Sequence, residues 1–180
     1  MKKYNIIYAD PPWSYKDKCN AGKRGAGYKY PTQGIDWIKN LPVQNICADD
    51  CFLFLWVTMP LLQEGLDTIK AWGFQYKTCA FTWVKKNKNK DSWFWGMGNF
   101  TRSNAELCLL GVKGKPKRVS AYVHSVVDTP IEGHSVKPAT VRDRIVELCG
   151  DLPRIELFAR TYPSCYWHVW GNDVISDIEL

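Results

Sequence analysis

Six consecutive apolar residues, Phe52-Leu53-Phe54-Leu55-Trp56-Val57, constrain this chain more than any other stretch. Asp49-Asp50 bounds the run on one side and Pro60 on the other, which limits it to strand length. A strand without a polar face must be covered on both sides, as in the interior of a parallel sheet. Tyr4–Ala9 reads as a second short buried strand, and Glu106–Val112 and Arg154–Phe158 as two more. Phe74–Val84 alternates well enough for a strand, Val119–Val127 is expected to form another, and Trp167–Trp170 is a last short apolar piece.

Helix signals lie between these runs. Ile35–Leu41 reads as a short helix. Pro60 suits the first turn of a helix whose apolar face is Leu62, Leu66 and Ile69, with Gly73 as its stop. Pro138 opens a further helix with Val141, Ile145 and Leu148 on one face, ended by Gly150. Strands alternating with helices predict an α/β fold built on a mostly parallel sheet. The 180 residues are expected to form one domain, 1–180, burying about 70% of its unfolded surface.

Charge and cysteine usage narrow the function classes. A formal charge of +6 favours a polyanionic partner. Seven cysteines, no Cys-x-x-Cys spacing and three histidines speak against a zinc site or a disulfide framework, so no metal is expected. Lys2-Lys3 precede too short an apolar stretch for a signal peptide, and no run approaches a membrane span. A cytoplasmic, reducing location is therefore expected.

The chemistry points to Asp10-Pro11-Pro12-Trp13, directly after the first strand. Two prolines stiffen the backbone and offer carbonyl acceptors without N–H donors. Asp10 adds an acceptor and Trp13 a broad flat ring, a set suited to a planar substrate with an amino group, such as adenine. Two loops combine cations and aromatics, a mixture that fits either a solvated surface with rings folded back on the core or contact with nucleic acid. In 14–33, Lys16, Lys18, Lys23, Arg24 and Lys29 interleave with Tyr15, Tyr28 and Tyr30. In 86–104, Lys86, Lys88 and Lys90 precede Trp93, Phe94, Trp95, Phe100 and Arg102.

Taken with its neighbours, Asp10-Pro11-Pro12-Trp13 resembles the DPPW motif of the adenine N6-methyltransferases related to the catalytic subunit of the eukaryotic mRNA adenosine methyltransferase. Phe52–Thr58 is similar to that family's FLFLWVT strand, and Trp72-Gly73-Phe74 and Trp83-Val84-Lys85 to its next landmarks. Glu106–Gly114 resembles its E-x-C-L-x-G-V-K-G segment, and His134–Pro138 its H-S-x-K-P. Ile155–Arg160 and Trp170-Gly171-Asn172 complete the series, in the right order from about residue 4 to 173. The resemblance implies a Rossmann-like fold that binds S-adenosylmethionine, with the catalytic motif ahead of the cofactor motif. Such a permuted order accounts for the lack of a Gly-x-Gly-x-x-Gly near the N-terminus.

What the resemblance implies for single residues is specific. Asp10, Pro11, Pro12 and Trp13 would be catalytic, with Asp10 and the Pro11 carbonyl accepting the amine's two N–H bonds. Lys137 would meet the methionyl carboxylate of the cofactor; Arg160, Asn172 and Asp173 would lie on its ribose side, beside Leu157 and Phe158. Asp173 stands where some relatives have an amide, and Glu156 would support the loop. Backbone near Asn5 and Ile6 is expected to hold the cofactor's adenine, in place of an upstream acidic residue of longer relatives. Trp13 and Tyr30 would stack on the target base, with Arg102 also on the substrate side. The function implied is methylation of adenine N6 in DNA. The alternatives are the same reaction on RNA, or a non-catalytic nucleic-acid-binding subunit. Monomer and homodimer stay open.

Overall fold

The computed structural model describes residues 2–14, 34–98, 100–133, 136–163 and 166–180. Its strands are β1 (Tyr4–Ala9), β2 (Cys47–Thr58), β3 (Gln75–Trp83), β4 (Glu106–Lys113), β5 (Val126–Val127), β6 (Arg154–Leu157) and β7 (His168–Trp170). The helices are α1 (Ile35–Asn40), α2 (Leu62–Ala71) and α3 (Ala139–Cys149). The seven strands form one sheet in the order β5-β3-β4-β2-β1-β6-β7.

Six strands run the same way, and β4 alone is reversed, pairing antiparallel with both β2 and β3. The mostly parallel sheet expected from the apolar runs is thus broken in its interior, not at an edge. The long connection over residues 84–105 allows the reversal, because it returns the chain beside the strand it left. A second departure lies at Val119–Val127, where only Val126 and Val127 pair. The rest of that stretch is mostly exposed, with Val119 tied instead to the Leu148 carbonyl at 2.8 Å.

The period of two along the central strands sorts their side chains between two cores. Ile7, Leu53, Leu55 and Ile155 face Ile38 of α1 and Ile69 of α2. Ile6, Phe54 and Trp56 face Val141 and Ile145 of α3. The result is a sheet covered on both faces, as the Phe52–Val57 run requires. The indoles buried there have partners for their N–H groups: Trp56 donates to the Tyr8 hydroxyl at 2.7 Å and Trp72 to the Ile38 carbonyl at 2.9 Å.

α2 follows a single 3-10 turn at Met59–Leu61 carrying Pro60, where the missing proline N–H costs nothing. It lies close on the sheet: a Cβ at Gly111 would meet Ile69 Cγ2 at 3.0 Å. No helix among the described residues is long and apolar enough to cross a membrane.

Candidate active site

The parallel strands β1, β6 and β7 end side by side, with Ala9 in register with Leu157 and Leu157 with Trp170. The residues that follow these ends therefore converge on one place: Asp10 after β1, Phe158 after β6, Gly171 after β7. Carboxyl ends of strands in open α/β sheets are where ligands are bound. A cleft opens there, lined by Asp10, Pro12, Phe158, Arg160, Asn172 and Asp173, all named from sequence. Trp37 of α1 and Trp170 complete its apolar wall. A second, smaller chamber shares Asp10, Phe158 and Arg160 and adds Lys137, Arg142 and Glu156.

The backbone is specialised at this point. Phe158 has φ 62°, the one non-glycine residue in the left-handed region among the described residues. That conformation turns the chain out of β6 and leaves the Phe158 ring edge-on to Trp170, with centroids 5.3 Å apart. The same ring also meets Trp37 edge-on at 6.4 Å. The two aromatic contacts offset part of the backbone cost. Gly171 crosses directly over the next peptide: a Cβ there would lie 2.7 Å from the Ala159 nitrogen and closer still to its carbonyl oxygen. Gly171→Ala is therefore expected to push the 171–173 loop out of the cleft and to weaken binding of the S-adenosylmethionine that the sequence resemblance implies at least about tenfold. Isothermal titration would show it; unchanged affinity would mean that the loop does not shape the pocket.

Charge at the site forms a chain. Lys137 Nζ donates to Asp10 Oδ2 at 2.7 Å and lies 3.2 Å from Glu106 Oε2, while Lys85 Nζ donates to Glu106 Oε1 at 2.6 Å. The Lys137 side chain is only 8% exposed, so these contacts are poorly screened. Burial pushes the Asp10 carboxyl above its ordinary value; Lys137 and Arg160 act against that shift and Glu106 with it. Burial would lower the Lys137 ammonium, but Asp10 and Glu106 outweigh it and hold it charged. At Glu106 burial also acts to raise the pKa, yet Lys137 and Lys85 overcome it and hold the carboxyl below the usual range. Next to this chain, Arg142 grips Glu156 with two bonds, 2.6 and 2.8 Å, and its guanidinium lies over the Tyr8 ring.

Several expectations need correction. Trp13 is not an open stacking surface: it is 5% exposed, and its indole N–H donates to the Trp56 carbonyl at 3.0 Å. A large ring with one donor is better satisfied under the site than at its mouth. The Pro11 carbonyl already accepts the Trp13 N–H at 2.8 Å, leaving one lone pair. Leu157 is fully buried beneath the cleft and does not line it. Backbone at Asn5 and Ile6 cannot hold the adenine ring, since both N–H groups donate to the Pro153 carbonyl at the opposite end of β1. Lys137 has two protein carboxylates as partners in addition to the role expected for it. Arg102 does not line the cleft; its guanidinium lies against the Met97 sulfur at 2.7 Å, exposed on the 85–104 connection, a position compatible with its expected place on the substrate side. Tyr30, and the loop residues 15–33 around it, fall outside the described residues.

Sequence reading did not single out Glu106, Lys85, Trp37 and Arg142 as site residues. The signal for Glu106 was present in its place: a carboxylate opening an apolar strand, in register with Thr58 at the end of β2.

The donors and shape of the first cleft fit S-adenosylmethionine. An apolar aromatic wall, Arg160, Asn172 and Asp173 offer contacts for a ribose and a ring, and the glycine crossing keeps the floor open.

Comparison with known proteins agrees with this geometry. The MT-A70 family profile matches residues 4–173. The chain is 36% identical to the Type II methyltransferase M.MunI of a Mycoplasma species, over 96% of this chain and 78% of that one. It is 29% identical to the human N(6)-adenosine-methyltransferase catalytic subunit METTL3, over 97% of this chain. A Drosophila melanogaster N(6)-adenosine-methyltransferase MT-A70-like protein is equally similar, at 29%. The chain spans 29% and 27% of the length of these two animal proteins. With its strand-end cleft and the family match over nearly its whole length, this chain belongs to the MT-A70 family.

Proposed function

We propose that this protein transfers a methyl group from S-adenosylmethionine to the N6 amine of adenine in DNA. The observation that carries the reading is Asp10, whose carboxylate stands at the junction of the two chambers with Lys137 against it. DNA is the polymer proposed because the Type II methyltransferase is matched over most of both chains, whereas the N(6)-adenosine enzymes are matched over less than a third of their length. On the same reading, residues 1–180 act as one methyltransferase domain. The strand before Phe158 serves the cofactor and the strand before Asp10 serves the reaction, a permuted order in which catalysis precedes cofactor binding in sequence.

The cofactor, when bound, supplies an electrophilic methyl group. Arg160, Asn172 and Asp173 would hold its ribose side, with Phe158 and Trp37 against its apolar surface. Lys137, whose ammonium has three donors, keeps one for the methionyl carboxylate after meeting Asp10 and Glu106. The adenine amine is a weak nucleophile because its lone pair is delocalised into the ring. Asp10 Oδ and the remaining lone pair of the Pro11 carbonyl accept its N–H bonds and turn that lone pair out of the ring plane. The same acceptors stabilise positive charge as it develops on nitrogen. Asp10 need not take the proton before attack. Trp13 acts from below, tying the Asp10–Trp13 turn to β2 through the Trp56 carbonyl.

Asp10 acts as an acceptor in its ionised form, with Lys137 against it, and burial raises its pKa. Activity is therefore expected to fall as pH drops through a value above the ordinary aspartate pKa of about 3.9. Glu106→Gln removes a negative neighbour and leaves Lys137 to Asp10 alone, so the acid limb of kcat/KM against pH should move to lower pH. A limb that stays in place, or moves upward, would separate Asp10 from the titration.

The direct test is methyl transfer to matched single-stranded DNA, duplex DNA and RNA, with products digested to nucleosides and identified by mass. N6-methylated deoxyadenosine is expected. Product in RNA alone would keep the chemistry and replace the polymer. Cofactor binding without product on any polymer would favour the non-catalytic reading.

A further inference from the structure

We propose that the arm over residues 85–104 is a duplex-opening wedge, with Phe100 as the side chain that enters the base stack beside the target adenine. The inference rests on the proposed methylation of DNA and adds how a paired adenine would reach Asp10. An amine inside a base pair cannot meet a buried carboxylate, so the nucleotide must leave the stack.

The arm is a built feature with a stitched stem. The Lys85 N–H donates to Asn104 Oδ1 at 2.7 Å, and Asn104 Nδ2 donates back to the Lys85 carbonyl at 2.9 Å. Phe94 N–H bonds the same carbonyl at 2.9 Å, and Asn87 Nδ2 holds the Trp93 carbonyl at 3.0 Å. Lys86 fastens the stem to the body through Thr129 and Ile131, at 3.0 Å each. Gly96 N–H to the Ser103 carbonyl, 2.7 Å, closes the stem just below the tip.

Beyond that closure the apolar side chains face outward. Met97 is 74% exposed and Phe100 fully exposed, with Trp95 just below at 62%. Gly98 passes so close to the Thr101 carbonyl oxygen that a Cβ would collide with it, while the Phe100 ring stands free of the protein. An apolar ring held out by a well-bonded stem has the form of the wedges that unstack base steps.

Charge selects nucleic acid as the occupant. Residues 85–104 contain five cations (Lys85, Lys86, Lys88, Lys90, Arg102) against one anion (Asp91), a balance of +4. Lys88, Lys90 and Arg102 are exposed, where they can meet phosphates on either side of an inserted ring. The stem also joins the reaction centre directly. Lys85 is bonded to Glu106, and Glu106 contacts the Lys137 that holds Asp10. The wedge and the acceptor thus share one rigid root.

The test compares methyl transfer to one DNA sequence as single strands and as an annealed duplex, for wild type, Phe100→Ala and Phe100→Leu. Because the ring is exposed, neither substitution should disturb folding. Phe100→Ala is expected to lose at least about tenfold on the duplex while staying within about twofold of wild type on single strands. Phe100→Leu, which keeps an apolar wedge, should retain most of the duplex rate. Equal loss on both substrates, or loss on neither, overturns the wedge, as does a wild type that methylates only single strands. Light scattering that shows a dimer in wild type and a monomer in Phe100→Ala would assign the ring to a second copy instead. A wild type that methylates no DNA overturns the underlying reading, and the wedge with it.

Discussion

Asp10→Ala is expected to lower methyl transfer by about 10²–10³-fold, the loss that follows removal of one preorganised electrostatic group from an active site. The substitution deletes the acceptor without stranding a charge, since Lys137 keeps Glu106 at 3.2 Å. Thermal stability should therefore change little, and the cleft walls formed by Phe158, Trp37 and Trp170 stay in place. Single-turnover rates at saturating cofactor, measured beside melting temperature, separate the two effects. Activity within about twofold of wild type would remove Asp10 from the mechanism. A loss matched by a large drop in melting temperature would make the residue structural.

Lys137→Met is expected to have the largest effect on stability. Its ammonium lies between Asp10 and Glu106, and removing it takes the 2.7 Å partner from Asp10 in a poorly solvated site while Glu106 keeps Lys85. Breaking a buried pair in this way costs about 3–5 kcal/mol, or roughly 10 °C of melting temperature for a domain of this size. The pH dependence should change as well. In the wild type Glu106 has a lowered pKa, so its stabilising contribution is present above its unfolded value and disappears as pH falls through the folded one. Without Lys137, Asp10 loses the cation that opposes burial and its carboxyl rises further, while Lys85 stays on Glu106, so the variant should gain more stability than wild type as pH falls and Asp10 takes up a proton. Melting curves from pH 3 to 8 test this. A variant as stable as wild type at pH 8 would show that the lysine is held loosely and does not organise the site.

The elements that could be read directly were those with a local signature. Phe52–Val57 has no polar residue, and it forms the centre of β2. Asp10 and Arg160 follow apolar runs that had to be strands, which is enough to place both at carboxyl ends. Other features depend on pairings that sequence spacing does not encode. The reversal of β4 follows a connection long enough for either direction, so its antiparallel register was not legible. Glu106 reaches Lys137 across 31 positions, and neither residue carries a local mark of the other. Trp13 shows the same gap in another form: its place in the motif was clear, but whether the ring faces solvent or the Trp56 carbonyl depends on the packing of β2.

The adjacency of β1 and β6 has a consequence for how the protein comes into being. Ile6 pairs with Arg154, so the central strand waits for a neighbour synthesised almost 150 positions later. Until then its free edge, formed by the fully buried Ile6, Ile7, Tyr8 and Ala9, is exposed to other chains. Parallel pairing at that separation is slow to find and cannot begin while β6 is still inside the ribosome. Asp10 thus waits at the mouth of a strand whose pocket is closed only by the last elements made. A nascent chain stalled before residue 154 would hold Asp10–Trp13 and no cleft beside it.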